Sequence, residues 1–342
     1  MALCEAGTNR RDLAIARLFV GFAFFRRDDY EKARQLFEQS LTDFRDLKDL
    51  YREADTQRQL SDILEAIGEI SQSETIAQDL ELARQAGERL HLAEVLGDQA
   101  RWAWENNQFD EAEAHLKEAQ SLYDQIGFSA SKASLLQGLI AHCRNDYQRA
   151  RSMYTKFKEQ LELLGEKYMT SFVLQTLGAL ARDEGDLQQA QSYIQQSLKI
   201  TKEIGSREEV GIRLAWLGQI EFLQGNLVGA KHNFNESLSI AKDVEWRYSK
   251  NVPLLTFSNS YANSQPKIAM RVLGAVHAYY RNKIHEPIDP LLTRESDRAI
   301  AQARQSLDES AFNAAWAEGK KMEINQAIDY ALSEIGEIEK NI

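Results

Sequence analysis

Apolar positions recur at three- and four-residue spacing along most of the chain, as in Leu187, Ala190, Ile194, Leu198 and Ile204. Such spacing places apolar side chains on one face of an α-helix. Short polar clusters interrupt it at Asn106-Asn107-Gln108, Asn145-Asp146, Glu184-Gly185-Asp186 and Gln224-Gly225-Asn226. No segment alternates in the manner of a strand. All four prolines (Pro253, Pro266, Pro287, Pro290) fall after residue 250. Proline breaks helix interiors, so the proline-free stretch before them reads as helix after helix. The pattern predicts an all-α protein.

The pattern also repeats. Gly21, Ser61, Ala100, Gly138, Gly178 and Gly218 each stand nine positions before a large residue: Tyr30, Ile70, Phe109, Tyr147, Leu187 and Leu227. Three residues further on come Ala33, Ser73, Ala112, Ala150, Ala190 and Ala230. Units of about 40 residues, each a helical hairpin, account for this. The small residue lets the second helix approach, the large one after the turn plugs the crossing, and the alanine sits where no larger group fits. Each hairpin leaves an apolar face that only a neighbour can cover. Gly87, Gly127, Gly165 and Gly205 are placed as helix stops.

Leu217-Gly218, Gly225-Asn226-Leu227-x-x-Ala230, Phe234 and Ser237, with Leu177-Gly178 and Gly185-Asp186-Leu187-x-x-Ala190, resemble the tetratricopeptide repeat. The resemblance implies a right-handed α-superhelix, an α-solenoid with hairpins about six residues longer than the usual ~34. Six hairpins are expected over 1–245, a seventh and degenerate one over 246–285 with its turn at Ala262–Pro266, and C-terminal capping helices over 286–342. In the tail, Lys283–Leu292 is expected to be a loop, followed by helices near Arg294–Leu307, Glu309–Lys321 and Ile324–Lys340.

The tail carries a narrower likeness. Lys267–Ala275, Leu307–Phe312, Ala314–Met322, Gln326-Ala327-Ile328 and Ala331-Leu332 resemble the C-terminal end of bacterial signal-transduction ATPases of the STAND type, among them LuxR-like, SARP-like and cyclase-linked regulators. In that family the tetratricopeptide array is the sensor arm attached to a nucleotide-binding core. No GxxxxGK[ST] loop occurs here; Gly319-Lys320 lacks the upstream glycine. The chain therefore reads as the sensor region alone, excised or separately encoded, and the resemblance implies a ligand- or partner-sensing role in the cytoplasm.

Composition narrows the chemistry. The chain has 342 residues, 43% of them hydrophobic, and a net charge of −11. That balance argues against nucleic acid or anionic lipid as the main partner, and no apolar run is long enough to span a membrane. Two cysteines without CxxC spacing, Cys4 and Cys143, fit a reducing compartment. The six histidines form neither HExxH nor an i,i+4 pair, and no GxSxG or dinucleotide turn occurs. No enzyme activity, metal or cofactor is expected.

Candidate contacts come from the first helices, which line the concave side of tetratricopeptide arrays. Positions −3, +1 and +4 from each small residue share a helix face and give Arg58, Asp62, Arg101, Trp104, His142, Gln175, Arg182, Gln219 and Phe222 as groove residues. Arg grips carboxylate or phosphate through paired hydrogen bonds and Trp supplies an apolar platform with one donor. The mixture suits a protein or peptide partner or a small anionic ligand. A plainer alternative stands beside it: Arg58 with Asp62 and Arg101 with Glu105 can form solvated i,i+4 pairs, and Trp104 can pack under a neighbouring hairpin. Phe19, Phe22, Phe24 and Phe25 exceed what one hairpin face can bury and mark a surface for a preceding domain. The Lys/Asn clamp of chaperone-binding repeats is missing. Two rival roles remain at this level, a constitutive assembly scaffold and a regulator responsive to quorum peptides.

Overall fold

The computed structural model describes residues 9–25, 29–67, 80–85, 87–126, 131–243, 247–284 and 288–340. Among these residues there is no strand. The chain divides into two compact units, Met1–Ala133 and Ser134–Ile342. The first contains α1 (Arg10–Phe25), α2 (Tyr30–Asp46), α3 (Leu50–Ile67), α4 (Arg89–Glu105) and α5 (Phe109–Gln125). Helix α6 (Ser131–Cys143) leads into the second, which continues with α7 (Tyr147–Leu164), α8 (Lys167–Asp183), α9 (Leu187–Ile204), α10 (Arg207–Leu223), α11 (Leu227–Asp243), α12 (Arg247–Tyr261), α13 (Pro266–Tyr279), α14 (Pro290–Ser306), α15 (Glu309–Gly319) and α16 (Ile324–Lys340). A π-helical turn, Tyr280–Ile284, closes α13.

The hairpins are built on one plan, visible as constant offsets. A methyl group added at Gly21, Gly138, Gly178 or Gly218 would meet Phe37, Tyr154, Ile194 or Phe234 respectively, sixteen residues later each time. Ser40, Ser197 and Ser237 donate to the carbonyls of Ala14, Ser171 and Gly211, always across twenty-six residues, so each bond ties the start of a first helix to its second. Ala33, Ala112, Ala150, Ala190 and Ala230 are fully buried. Gly178 and Gly218 therefore occupy matching crossings.

One detail differs from the sequence reading. Tyr30, Phe109, Tyr147 and Leu187 at the helix starts are only partly buried and Leu227 is exposed. They lie at the hairpin tips, and the crossing is filled instead by the large residue four positions after the alanine. Ile70 and Ser73, and also Gly127 and Cys4, lie outside the described residues.

The turns follow from backbone chemistry. Asp29, Asp146 and Asp186 accept from the N–H groups of Lys32, Arg149 and Gln189 at the starts of α2, α7 and α9, supplying the N-caps these helices need. Just before such starts, Asn107, Asn145, Gly185 and Gly225 take left-handed backbone angles, tolerated by Asn and Gly. Gly165 and Gly205 end α7 and α9 in the same conformation.

The tail departs from expectation at one helix start. Helix α14 starts at Pro290, within the stretch read as a loop, because Asp289 caps Leu291 and Leu292 and proline suits the first helical position. Pro253 lies inside α12, where proline removes one N–H; its neighbours Asn251, Leu254 and Leu255 are wholly buried, so packing holds the helix together. Helix α13 packs on α15, and α16 packs on α11, α12 and α13. Gly274 and Gly319 let the α13 and α15 backbones meet: a methyl group on Gly274 would stand 2.7 Å from the Trp316 carbonyl oxygen, and one on Gly319 would overlap the Arg271 carbonyl. Trp316 stacks on Phe312 (centroids 6.0 Å apart) and lies against His277.

Candidate functional site

Among the described residues, a polar cluster in each unit includes side chains of the first-helix faces read from the sequence. In the second unit α8 contributes Arg182 and Asp183, α10 contributes Gln219, and α14 enters with Arg294 and Glu295. Arg182 pairs with Glu295 and with Asp183, the latter at 2.8 Å. Its Nη1 donates to Gln219 Oε1 at 2.6 Å, and its guanidinium lies 5.0 Å from the Trp216 ring centroid. Gln219 and Asn259 each donate to the second oxygen of Glu295. Arg294 pairs with Asp183 and donates to the His142 carbonyl and Asn145 Oδ1. His142 Nε2 lies 3.0 Å from Asp183 Oδ2.

These groups are dry: the Arg182, Asp183, Glu295 and His142 side chains are all at most 7% exposed. Burial alone would raise the Asp183 carboxyl, but the hydrogen bond from His142 and the charge of Arg182 hold it well below the usual carboxylate range. Burial likewise works against the Arg182 charge, and Glu295 and Asp183 outweigh it, so its pKa rises. At the head of α14, burial pushes the Asp289 carboxyl up to about 6 against two backbone hydrogen bonds.

In the first unit the cluster is smaller and wetter. Arg58 on α3 faces Asp55 (3.2 Å) on its own helix and Glu94 (3.9 Å) and Asp98 (3.5 Å) on α4. His91, on α4 and 1% exposed, stands edge-on to Tyr51 with both ring nitrogens buried and lacking a hydrogen-bond partner. Burial lowers its pKa.

The sequence-derived contacts thus fall into several settings. Arg182, Gln219 and His142 join one network in the second unit, with Phe222 beside it, edge-on to Tyr261. Gln175, on α8, is partly buried and its Oε1 has no hydrogen-bond partner. Arg58 joins the first-unit cluster. Arg101 pairs with Glu105 at 3.7 Å. Trp104 is 5% exposed, with its indole N–H buried and unpartnered. The Asp62 side chain lies outside the described residues. Phe22 packs on Phe37, Phe25 on Tyr30, and Lys32 covers Phe24; only Phe19 of that strip is strongly exposed.

Reasoning from single repeats missed Arg294 and Glu295, which arrive from more than a hundred residues away and lie outside the repeat register. It also missed Asp55, His91 and Glu94. A signal for them existed: Asp55 and Glu94 stand six positions before Ser61 and Ala100, the same place on successive first helices.

Among solved structures, the chain is similar to a Signal Transduction ATPase with Numerous Domains (STAND) protein with a tetratricopeptide repeat sensor from Pyrococcus horikoshii. The two share 14% identity over 98% of this chain and 50% of that one, with a TM-score of 0.56. This chain is a helical-repeat solenoid of tetratricopeptide type. It spans about half the length of that STAND protein. Further similarity is found to BtubC (BKLC) from P. vanneervenii (16% identity, 62% of this chain and 90% of that one, TM-score 0.49). A Rap protein complexed with competence and sporulation factor shows 13% identity over 97% and 98% of the two chains, with a TM-score of 0.48. No protein-family model matches the sequence, and a search of curated proteins finds no match. Among the described residues no helix is long and apolar enough to cross a membrane.

Proposed function

We propose that this protein is a non-catalytic recognition module, the ligand- or partner-sensing arm of a STAND-type bacterial regulator working in the cytoplasm. The observation that carries the reading is the grip of Arg182, Gln219 and Asn259 on Glu295. The first-helix face of the repeats holds a carboxylate on a helical segment through a charged fork and amide donors, as a site for an acidic helical peptide would. Here its own α14 supplies that carboxylate. Repeats of this kind recognise partners by arraying such faces, and a ligand that binds one arrangement of hairpins better than another shifts the population toward it. In a STAND-type parent the shift would be felt by the nucleotide-binding core.

In the first unit Arg101, 41% exposed and paired with Glu105, is the contact offered to an external acidic peptide or small anion; Arg58 is already held by Asp55, Glu94 and Asp98. Calorimetry of the full chain against fractionated cell extract and acidic helical peptides tests this, with Arg101→Ala as the variant and Arg58→Ala as the comparison. A ligand bound at least tenfold more weakly by Arg101→Ala supports the reading. Ligands bound equally well by both move recognition off the first-helix face. An assembly scaffold is the second reading, favoured by the exposed Leu163, Leu164, Leu223 and Val228, apolar residues at helix ends and turns. It predicts a partner that survives both arginine substitutions and is lost on Leu164→Glu or Val228→Glu.

A further inference from the structure

The first-unit cluster contains a feature that ion pairing does not explain. His91 is almost wholly buried, yet neither ring nitrogen has a hydrogen-bond partner. A buried imidazole without a partner costs free energy that a histidine in a repeat core has no reason to bear. Beside it stand Asp55 and Glu94, and one ligand atom from each of the three residues lies within 4.8 Å of the others. We infer that Asp55, His91 and Glu94 form a binding site for a divalent transition-metal ion of borderline softness, such as zinc, that fastens α3 to α4.

Three arguments support the assignment. The donor set is one imidazole and two carboxylates, which suits zinc-like ions, whereas an all-oxygen set would suit calcium or magnesium. Charge favours a cation: three carboxylates, Asp55, Glu94 and Asp98, gather around the guanidinium of Arg58 beside the imidazole. The residues also sit on two helices that side chains already join, since Arg58 reaches Glu94 and Asp98 from α3 to α4 and His91 lies one turn before Glu94. Metal bonds of ~2.0–2.2 Å set ligand atoms roughly 3.4 Å apart. Both carboxylates therefore turn inward, and Arg58 releases them while keeping Asp98. Arg58 thus acts as a stand-in cation that competes with the metal. The ion would lock one hairpin against the next in a face read for recognition, independently of whether a peptide binds there.

Zinc chloride titrated into the full chain by calorimetry under reducing conditions tests the inference. The background lacks Cys4 and Cys143 and the half-exposed or exposed His115 and His232, each of which faces a glutamate one turn away. One site per chain is expected, weakened at least tenfold by His91→Ala and strengthened by Arg58→Gln as the competing cation is removed. Cobalt in place of zinc should give visible absorption bands that His91→Ala abolishes. Asp55→Asn and Glu94→Gln, which preserve side-chain shape, should each weaken binding if His91→Ala does not fold by circular dichroism. Zinc binding that is absent from the folded parent, unaffected by all three ligand substitutions, or no tighter than calcium binding overturns the inference.

Discussion

Arg182 in the second unit and Arg58 in the first are arginines on equivalent helices, yet their surroundings differ. Arg182 is dry and finds its partners matched in number: two carboxylates, an amide oxygen and the face of Trp216. Arg58 keeps 18% of its side chain exposed and is shared among three carboxylates at longer range. The difference comes from α14. Where that helix packs, the polar face is desolvated; in the first-unit cluster the ion pairs run between α3 and α4, three partly exposed carboxylates share Arg58, and the His91 imidazole has no hydrogen-bond partner. A repeat face thus has two fates, closed by a segment of its own chain or left nearer to solvent.

The most damaging substitution should be one that prevents the tail from packing. Gly319→Ala places a methyl group on the Arg271 backbone carbonyl, which has no rotamer to yield. Loss of about 4 kcal/mol or more, or failure to fold, is expected in urea unfolding. Gly21→Ala in the first unit meets only the Phe37 ring, which can shift, and should cost about 1–3 kcal/mol. Equal losses would show that the tail crossing is no more rigid than a repeat crossing.

Next comes the seal itself. Glu295→Ala leaves Arg182 buried with Asp183 as its remaining anion, and breaking a buried pair typically costs about 3 kcal/mol. Glu295→Gln retains the acceptor for Gln219 or Asn259 and should cost less. If Glu295→Ala costs under ~1 kcal/mol, α14 does not close this face tightly, and the contrast with Arg58 fails.

The repeat was legible because it rests on local rules applied several times over: a small residue at each crossing, an alanine after most turns, Asp or Asn before most second helices. Helical periodicity set Arg182 and Gln219 at corresponding faces of successive first helices, and the two side chains meet. Their partner was not legible, because Glu295 belongs to a helix outside the repeat, and spacing within one helix says nothing about which distant segment covers it. The start of α14 was legible in principle from Asp289-Pro290, an N-cap followed by proline at the first helical position, but the two prolines outweighed it. Asp55 and Glu94 required superposing repeats rather than reading one.

A smaller effect concerns acid. The folded Asp289 carboxyl, near 6, lies above its ordinary value of 3.8, so the native state binds this proton more tightly than the unfolded chain does. Its contribution therefore falls as pH rises through this interval, and the deficit is complete above about 6. Glu295 adds to the shift by repulsion, so the head of α14 and the Arg182 seal are electrostatically coupled. Asp289→Asn keeps an oxygen for the Leu291 and Leu292 N–H groups and should stabilise by about 2 kcal/mol at pH 7, with no gain at pH 3.5. Asp183 works in the opposite sense: its folded pKa is depressed, so its contribution is present above about 4 and is lost on acidification below it. A gain from Asp289→Asn that does not vary with pH would mean that the carboxyl is hydrated, and that the head of α14 is wetter than its seal.

The least perturbing change should be at Arg58. Removing it deletes one partly hydrated cation from among three carboxylates that are themselves 24–38% exposed, so water takes over much of the lost pairing and stability should fall by about 1 kcal/mol or less. The remaining negative charges then repel one another, an effect that ionic strength screens. The cost of Arg58→Ala should accordingly shrink between 50 mM and 500 mM sodium chloride, whereas the cost of Glu295→Ala, in a site with little water, should be nearly insensitive to salt. Unfolding of both variants across that range separates the two arginines directly. If Arg58→Ala were costly and independent of salt, the first-unit cluster would be as dry as the second, with an anion already matched to each of its charges. The difference in exposure that distinguishes the two faces would then not matter.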